Sequence, residues 1–323
     1  LLGLAVLAAV AAGLGAGRLG RSEGDVRVTV AAVQAALPRE ADAWGKFLAH
    51  ERLTIEAARR GARLVVWPES AVPYRLDRHR GYRELVAALA RRAGVDIVLN
   101  TIEADDAGRY FNAAALVRAD GRPGGAYRKR RLVPFGEYLP LRSLFRRVPA
   151  LAAQAGDFTP GAELVLLESR DGTVGPLVCY EAVFPALAAD EAAAGADLLV
   201  NMTNDSWFGW TGGPAQHLAH ARLRAAETGL PLVRAAYSGI SAIFSDRGRE
   251  LGRLGLGERG VLTAEVHVGG RAPGAAVGRA LARLCATLAA VAAALVLVRA
   301  RRADVAPDAE AGPAPEGTSR DEG

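Results

Sequence analysis

Hydrophobic positions along this chain alternate between two rhythms. Val26 to Val33 (VRVTVAAV) is rich in β-branched residues and predicts a strand, and Ala43 to Arg60 carries the spacing of an amphipathic helix. The apolar Arg63 to Trp67 predicts the next strand, Tyr82 to Arg92 a helix, and Asp96 to Asn100 a strand. Tyr110 to Val117 follows as a strand, reached through the turn Asp105-Asp106-Ala107-Gly108. The second half repeats the scheme, with strands near Glu163 to Leu167 and Gly175 to Cys179, a helix near Pro185 to Ala194, and a strand Asp197 to Met202. A helix Pro214 to Thr228 and strands Leu232 to Ala236 and Ser241 to Phe244 complete it. Strands interleaved with helices predict an α/β layered domain. Between the halves, Leu132 to Gly161 has little regular pattern, as lids, binding loops and disordered segments do.

The ends differ from the middle. Leu1 to Gly17 holds seventeen residues without a charge and Leu284 to Val298 fifteen more. A membrane-spanning helix needs about 20 apolar residues, so each run predicts a span only if it extends. The first, beginning inside an apolar run with no Met, reads as a fragment or processed product; the second extends back if Arg279 and Arg283 snorkel. A signal-peptide core is the alternative for the first run and a buried helix for the second. Arg299, Arg301 and Arg302 place the end that follows in the cytoplasm by the positive-inside rule. The expected organisation is a span and linker over 1–24, an α/β domain over 25–268, a span over 269–302 and a disordered acidic tail over 303–323.

That tail carries six acidic residues and one Arg, a net of −5, so the rest of the chain stands at +10 against the formal total of +5. No helix-turn-helix, zinc-finger or RNA-binding aromatic motif accompanies the charge. Lipid headgroups are therefore the expected anionic partner, and nucleic acid is not expected. Gly255-Leu256-Gly257-Glu258-Arg259-Gly260 spells a dinucleotide fingerprint but precedes a strand-like Val261 to Val266, which argues against a nucleotide site. His217 and His220 lie three apart on a predicted helix without a third ligand cluster, so they read as helix-face residues and no metal is expected.

Of forty basic residues only Lys46 and Lys129 are lysine, and the cysteines are Cys179 and Cys285 alone. Two cysteines exclude a disulfide-stapled scaffold and a four-thiolate zinc site. Lys46 reads as a compositional accident, and Cys285, inside an apolar run, as inert. Three segments place chemistry at strand ends. In Val66-Trp67-Pro68-Glu69-Ser70, Pro68 stops the strand and presents Glu69 in the loop; alone, the commoner reading is a capping or solvated glutamate. In Tyr127-Arg128-Lys129-Arg130-Arg131 the lysine interrupts a chain that otherwise writes Arg, and an ammonium offers a compactness a guanidinium lacks; a solvated basic face is the ordinary alternative. In Pro176-Leu177-Val178-Cys179-Tyr180-Glu181 a strand ends at a cysteine before a helical pattern; a buried structural thiol is the commoner occupant. Together they form a set in which a glutamate takes the thiol proton and a lysine stabilises both thiolate and oxyanion.

Glu69 in WPES, Lys129 in YRKRRLVPFGEYLP and Cys179 in PLVCYE resemble the Glu-Lys-Cys triad of the nitrilase, or carbon-nitrogen hydrolase, superfamily. LVPFGEYLPL, NMTNDSWFG from Asn201 and QHLAHARLRAAETGLPLVRAA from Gln216 resemble its apolipoprotein N-acyltransferase branch, over about Val26 to Val268. Tyr237 stands where that family usually has Asn. The resemblance implies a four-layer αββα sandwich flanked by transmembrane helices. It further implies a bacterial inner-membrane enzyme with its catalytic domain on the extracytoplasmic face, working as a monomer without a cofactor. The implied reaction moves an acyl chain from a phospholipid through a Cys179 thioester to the α-amino group of a diacylated lipoprotein. Glu137 matches a second family glutamate, supporting the lysine or relaying a proton, and Tyr180 and Glu181 match positions beside the nucleophile. Leu141 to Ala150 mixes Arg with apolar residues as an interfacial element does, and Trp207, Phe208 and Trp210 could meet acyl chains; lid packing against the core is the alternative for both. A membrane-anchored amidase, with water taking the thioester, is the alternative reaction. A catalytically silent lipid-binding domain is a third reading, which the intact triad opposes.

Overall fold

In the computed structural model, which describes residues 26–38, 40–140, 156–269 and 274–303, the first strand and the last pair along their whole length. β1 (Val26–Gln34) lies antiparallel to β12 (Gly260–Val268), with Val26 opposite Val268 and Gln34 opposite Gly260. On its other side β1 runs parallel to β2 (Leu64–Val66), which runs parallel to β3 (Asp96–Ala104). β4 (Tyr110–Val117) and β5 (Pro123–Arg128) complete this six-stranded sheet as antiparallel neighbours. The second sheet has the order β11-β10-β9-β8-β7-β6, with β7 (Gly172–Val178), β8 (Leu198–Thr203) and β9 (Leu232–Ala236) parallel at its centre. β6 (Leu167–Ser169), β10 (Ser241–Phe244) and β11 (Glu250–Leu254) flank them antiparallel.

Successive strand residues point to opposite faces, and this divides the apolar set into three layers. Val30, Val66 and Val98 face Val174, Val200 and Met202 in a core between the sheets. Val65, Trp67 and Leu99 face outward and pack against α1 (Ala43–Arg59) and α2 (Arg80–Ala93) through Phe47, Leu53, Val86 and Leu89. Leu177, Leu199 and Leu232 face α3 (Pro185–Ala193) and α4 (Gly213–Thr228) on the far side. The result is the α-β-β-α sandwich expected. Its parallel strands are buried on both faces, hence their mostly Val, Leu and Ala composition, with Asn100, Asn201 and Arg234 as buried polar exceptions. Asp42 caps α1 by accepting from the Gly45 N–H at 2.8 Å, and Gly94 closes α2 in the left-handed conformation.

Three expectations change. The strand near 163–167 forms instead at Leu167–Ser169, because pairing of Ser169 with Gly172 leaves a two-residue turn that fixes its register on β7. β5 was not anticipated, since its PGGAYR sequence suppresses a strand reading. Its glycine is required by packing: a Cβ on Gly124 would lie 2.2 Å from Leu116 Cδ2 and 2.7 Å from the Glu168 carbonyl oxygen. Among the described residues no helix is long and apolar enough to cross a membrane. In place of the second expected span there is α5 (Gly274–Ala303), in which the side chains of 284–298 are exposed; that uncharged run of fifteen residues is shorter than a span of about 20. The first expected span, the acidic tail and the segment Leu141 to Ala150 lie outside the described residues.

Candidate active site

Cys179 follows the last residue of β7 and opens a short 3₁₀ turn, Cys179–Val183. Its φ of +52° is left-handed, a conformation that costs a non-glycine residue about 1–2 kcal/mol. Backbone and side-chain bonds hold it there. Glu181 accepts from the Val178 N–H at 2.8 Å, and the Cys179 carbonyl oxygen accepts from His217 Nε2 at 3.0 Å and Asn201 Nδ2 at 3.3 Å. Thr203 Oγ1 lies 3.4 Å from the sulfur.

Lys129 leaves the end of β5, its N–H donating to the Asn112 carbonyl at 2.8 Å. The next two residues are clamped by Glu181, whose Oε1 accepts from the Arg130 N–H at 2.7 Å, the Arg131 N–H at 3.0 Å and the Tyr127 hydroxyl at 2.8 Å. Glu181 therefore ties the lysine segment to the cysteine turn from behind. The Lys129 side chain is 0 % exposed, with Nζ 2.8 Å from Glu137 Oε2 and 3.9 Å from Glu69 Oε1.

Glu69 emerges beyond the Trp67-Pro68 stop, and Ser70 after it is also left-handed, with φ +60° and its N–H donating to Asn100 Oδ1 at 2.9 Å. Glu69 Oε1 accepts from Asn112 Nδ2 at 2.8 Å and Oε2 from the Asn204 N–H at 3.0 Å. Asn112 Nδ2 also donates to Glu137 Oε1 at 2.7 Å, so one amide and one ammonium lie between two carboxylates. Asn100 donates in turn to Asn112 Oδ1 at 2.7 Å, fixing which way that amide faces.

Burial opposes the Lys129 ammonium, but the carboxylates of Glu69 and Glu137 outweigh it and hold its pKa above the ordinary lysine range. Burial, then the Glu69 charge, pushes the Cys179 thiol up to about 12 despite Lys129 and Thr203. The resting nucleophile is thus a protonated thiol beside a base, not the thiolate that a neighbouring cation alone would favour.

Glu69, Lys129 and Cys179 line one cavity of about 1170 Å³, larger than the roughly 300–1,000 Å³ of most small-molecule sites. Tyr180, Trp207 and Phe208 form part of its wall; Trp210 does not, and stands 85 % exposed. Glu137 also lines it, while Glu181 is buried behind it. Lys46 lines it too, above the Tyr237 ring at 5.9 Å. His217, expected to be a satisfied helix-face residue, lies on α4, buried and hydrogen-bonded at both ring nitrogens, to Asp205 and to the Cys179 carbonyl. Asn112, Asn201, Asp205 and Arg234 carry no signal of their own in the sequence, although the last three fall within the strings that carry the resemblance. Among the described residues no group of three or more His, Cys, Asp or Glu side chains could hold a metal ion.

The carbon-nitrogen hydrolase family profile matches residues 29–273. An apolipoprotein N-acyltransferase of Geobacter metallireducens is 40% identical over 68% of this chain and 43% of its own length. One of Allorhizobium ampelinum is 38% identical over 78% of this chain and 51% of its own. The chain spans about half the length of these relatives. Among solved structures, a carbon-nitrogen hydrolase from Helicobacter pylori superposes with a TM-score of 0.60 at 20% identity, covering 75% of this chain and 89% of that one. An amidase from Nesterenkonia sp. gives 0.57 at 22%, covering 76% and 92%. At such identity these two show a shared fold.

Proposed function

Because this chain belongs to the carbon-nitrogen hydrolase family, we propose that it transfers an acyl chain from a phospholipid, through a thioester on Cys179, to the N-terminal amine of a diacylated lipoprotein. The observation that carries the reading is the convergence of Glu69, Lys129 and Cys179 on one cavity, in a chain up to 40% identical to N-acyltransferases.

As Cys179 sulfur attacks the ester carbonyl carbon, its proton passes to Glu69, the C–S bond forms and the carbonyl electron pair moves to oxygen. Lys129 Nζ and the Tyr180 N–H hold that oxyanion, a donor of this kind being worth about 2.7–4 kcal/mol. Collapse breaks the ester C–O bond, and Glu69 returns the proton to the departing lysophospholipid oxygen. The lipoprotein amine then attacks the thioester; the C–N bond forms, the C–S bond breaks, and the amine proton passes through Glu69 to the Cys179 sulfur. Glu137 keeps Lys129 charged and in place. The aromatic wall of Trp207 and Phe208 suits an acyl chain. The exposed Leu and Val side chains of α5 support attachment to a membrane; a bacterial inner-membrane site follows from the proposed substrates.

The test supplies the protein in lipid with an acyl-labelled phospholipid and a diacylated lipopeptide. The reading expects label on the lipopeptide amine, abolished by Cys179→Ala. Full transfer by Cys179→Ala would refute it, and ammonia released from small amides with no transfer would make the chain an amidase. Flotation with liposomes, lost when 274–303 is removed, tests the role of α5.

A further inference from the structure

Four buried side chains form a closed ring on the nucleophile's own peptide group. His217 Nε2 meets the Cys179 carbonyl oxygen at 3.0 Å, and His217 Nδ1 lies 2.9 Å from Asp205 Oδ1. Asp205 Oδ2 accepts from Arg234 Nη2 at 2.6 Å, Arg234 Nη1 donates to Asn201 Oδ1, and Asn201 Nδ2 returns to the Cys179 oxygen at 3.3 Å. Asn201 and Arg234 are 0 % exposed and Asp205 1 %. A carbonyl oxygen only accepts, so His217 Nε2 carries a hydrogen here.

A buried ion pair of this kind is weak evidence of a stabilising role, because its desolvation offsets much of its attraction. Its position suggests another use. The Cys179 C=O and the Tyr180 N–H belong to one planar trans peptide and point in opposite directions. Two donors gripping the oxygen therefore set the direction of the N–H, in a turn that Glu181 holds from its other side through the Val178 N–H. Hydrogen bonds to the oxygen also polarise the peptide and strengthen its N–H as a donor.

We propose that His217, seated by Asp205 and Arg234, is a positioning residue that aims the Tyr180 N–H at the oxyanion of each acyl-transfer step. It touches no reacting atom and acts through the Cys179–Tyr180 peptide. The inference rests on the thioester reading of the site, and its test separates the two.

The test compares two reactions of Cys179 in the full chain. Loading from an acyl-labelled phospholipid passes through an oxyanion; alkylation by iodoacetamide does not. His217→Asn keeps an amide for Asp205 but is too short to reach the Cys179 oxygen, whereas His217→Gln reaches it. The Asn variant is expected to load roughly 10–100-fold more slowly, less than the 10²–10³ lost with an oxyanion donor itself, while alkylating at the wild-type rate. The Gln variant is expected to recover most of the loading rate. Equal losses in both reactions, which mark a displaced thiol, overturn the inference, as does full-speed loading in the Asn variant. If the Asn variant does not fold, slowed loading with normal alkylation in the Gln variant overturns it. A wild-type chain that alkylates but takes no acyl group overturns the thioester reading, and the role of His217 with it.

Discussion

Lys129 is bound to Glu137 and only approached by Glu69: its Nζ lies 2.8 Å from the first carboxylate and 3.9 Å from the second. That asymmetry leaves Glu69 free to take a proton while Glu137 holds the cation. Glu137→Ala removes the holding charge, so the ammonium closes on Glu69 and occupies the base. A charge-assisted hydrogen bond is worth about 1.5–3 kcal/mol, so turnover should fall roughly 10–100-fold, with KM for the phospholipid little changed. Steady-state kinetics of the variant check this; a rise in KM with kcat intact would contradict it.

Lys129→Arg should not substitute. The position is wholly buried, and a planar guanidinium cannot replace an ammonium packed between two carboxylates and an oxyanion. Acyl transfer should drop by at least about 10²-fold. Wild-type turnover in this variant would refute the role given to the lysine.

The pH dependence of Cys179 alkylation reports its setting. With the thiol pushed up to about 12, the rate should climb steadily through the alkaline range without levelling off near the ordinary thiol value of about 8.5. Glu69→Gln removes one of the charges that raise it, so the whole profile should move to lower pH. The same variant should lose acyl transfer, having lost its base. A profile that moves upward, or stays put, would contradict the electrostatic account.

Glu191 offers a separate test away from the cavity. Burial raises its carboxyl pKa to about 8 despite Arg130 nearby, and its Oε2 has no hydrogen-bond partner. Because the folded pKa exceeds the unfolded one, stability tied to this group is present below about pH 4.5 and is lost as pH rises towards 8. Glu191→Gln should therefore flatten the pH dependence across that window and be the more stable protein at its upper end. Urea midpoints of the two proteins at both ends of the window check the sign.

How much of this was legible in the sequence varies with the physics behind each feature. The parallel strands read plainly, because burial on both faces leaves them rich in Val, Leu and Ala. β5 did not, since Gly124 is fixed by close approach of Leu116 and the Glu168 carbonyl, which leaves no local signal. Glu69, Lys129 and Cys179 stood out by residue type, by scarcity and by the strings around them. The ring of Asn201, Asp205, His217 and Arg234 joins β8, the loop after it, α4 and β9, and no spacing along one element reveals such a set. Lys46 reads in the sequence only as a quirk of composition; the fold brings it to the cavity wall.

The account turns on a covalent intermediate, and the intact mass of the protein tests it most directly. After incubation with a phospholipid of known acyl chain, the account predicts one added acyl group on Cys179, labile to hydroxylamine, absent in Cys179→Ala and discharged when a diacylated lipopeptide is added. An unmodified Cys179 while the lipopeptide is nonetheless acylated would contradict it.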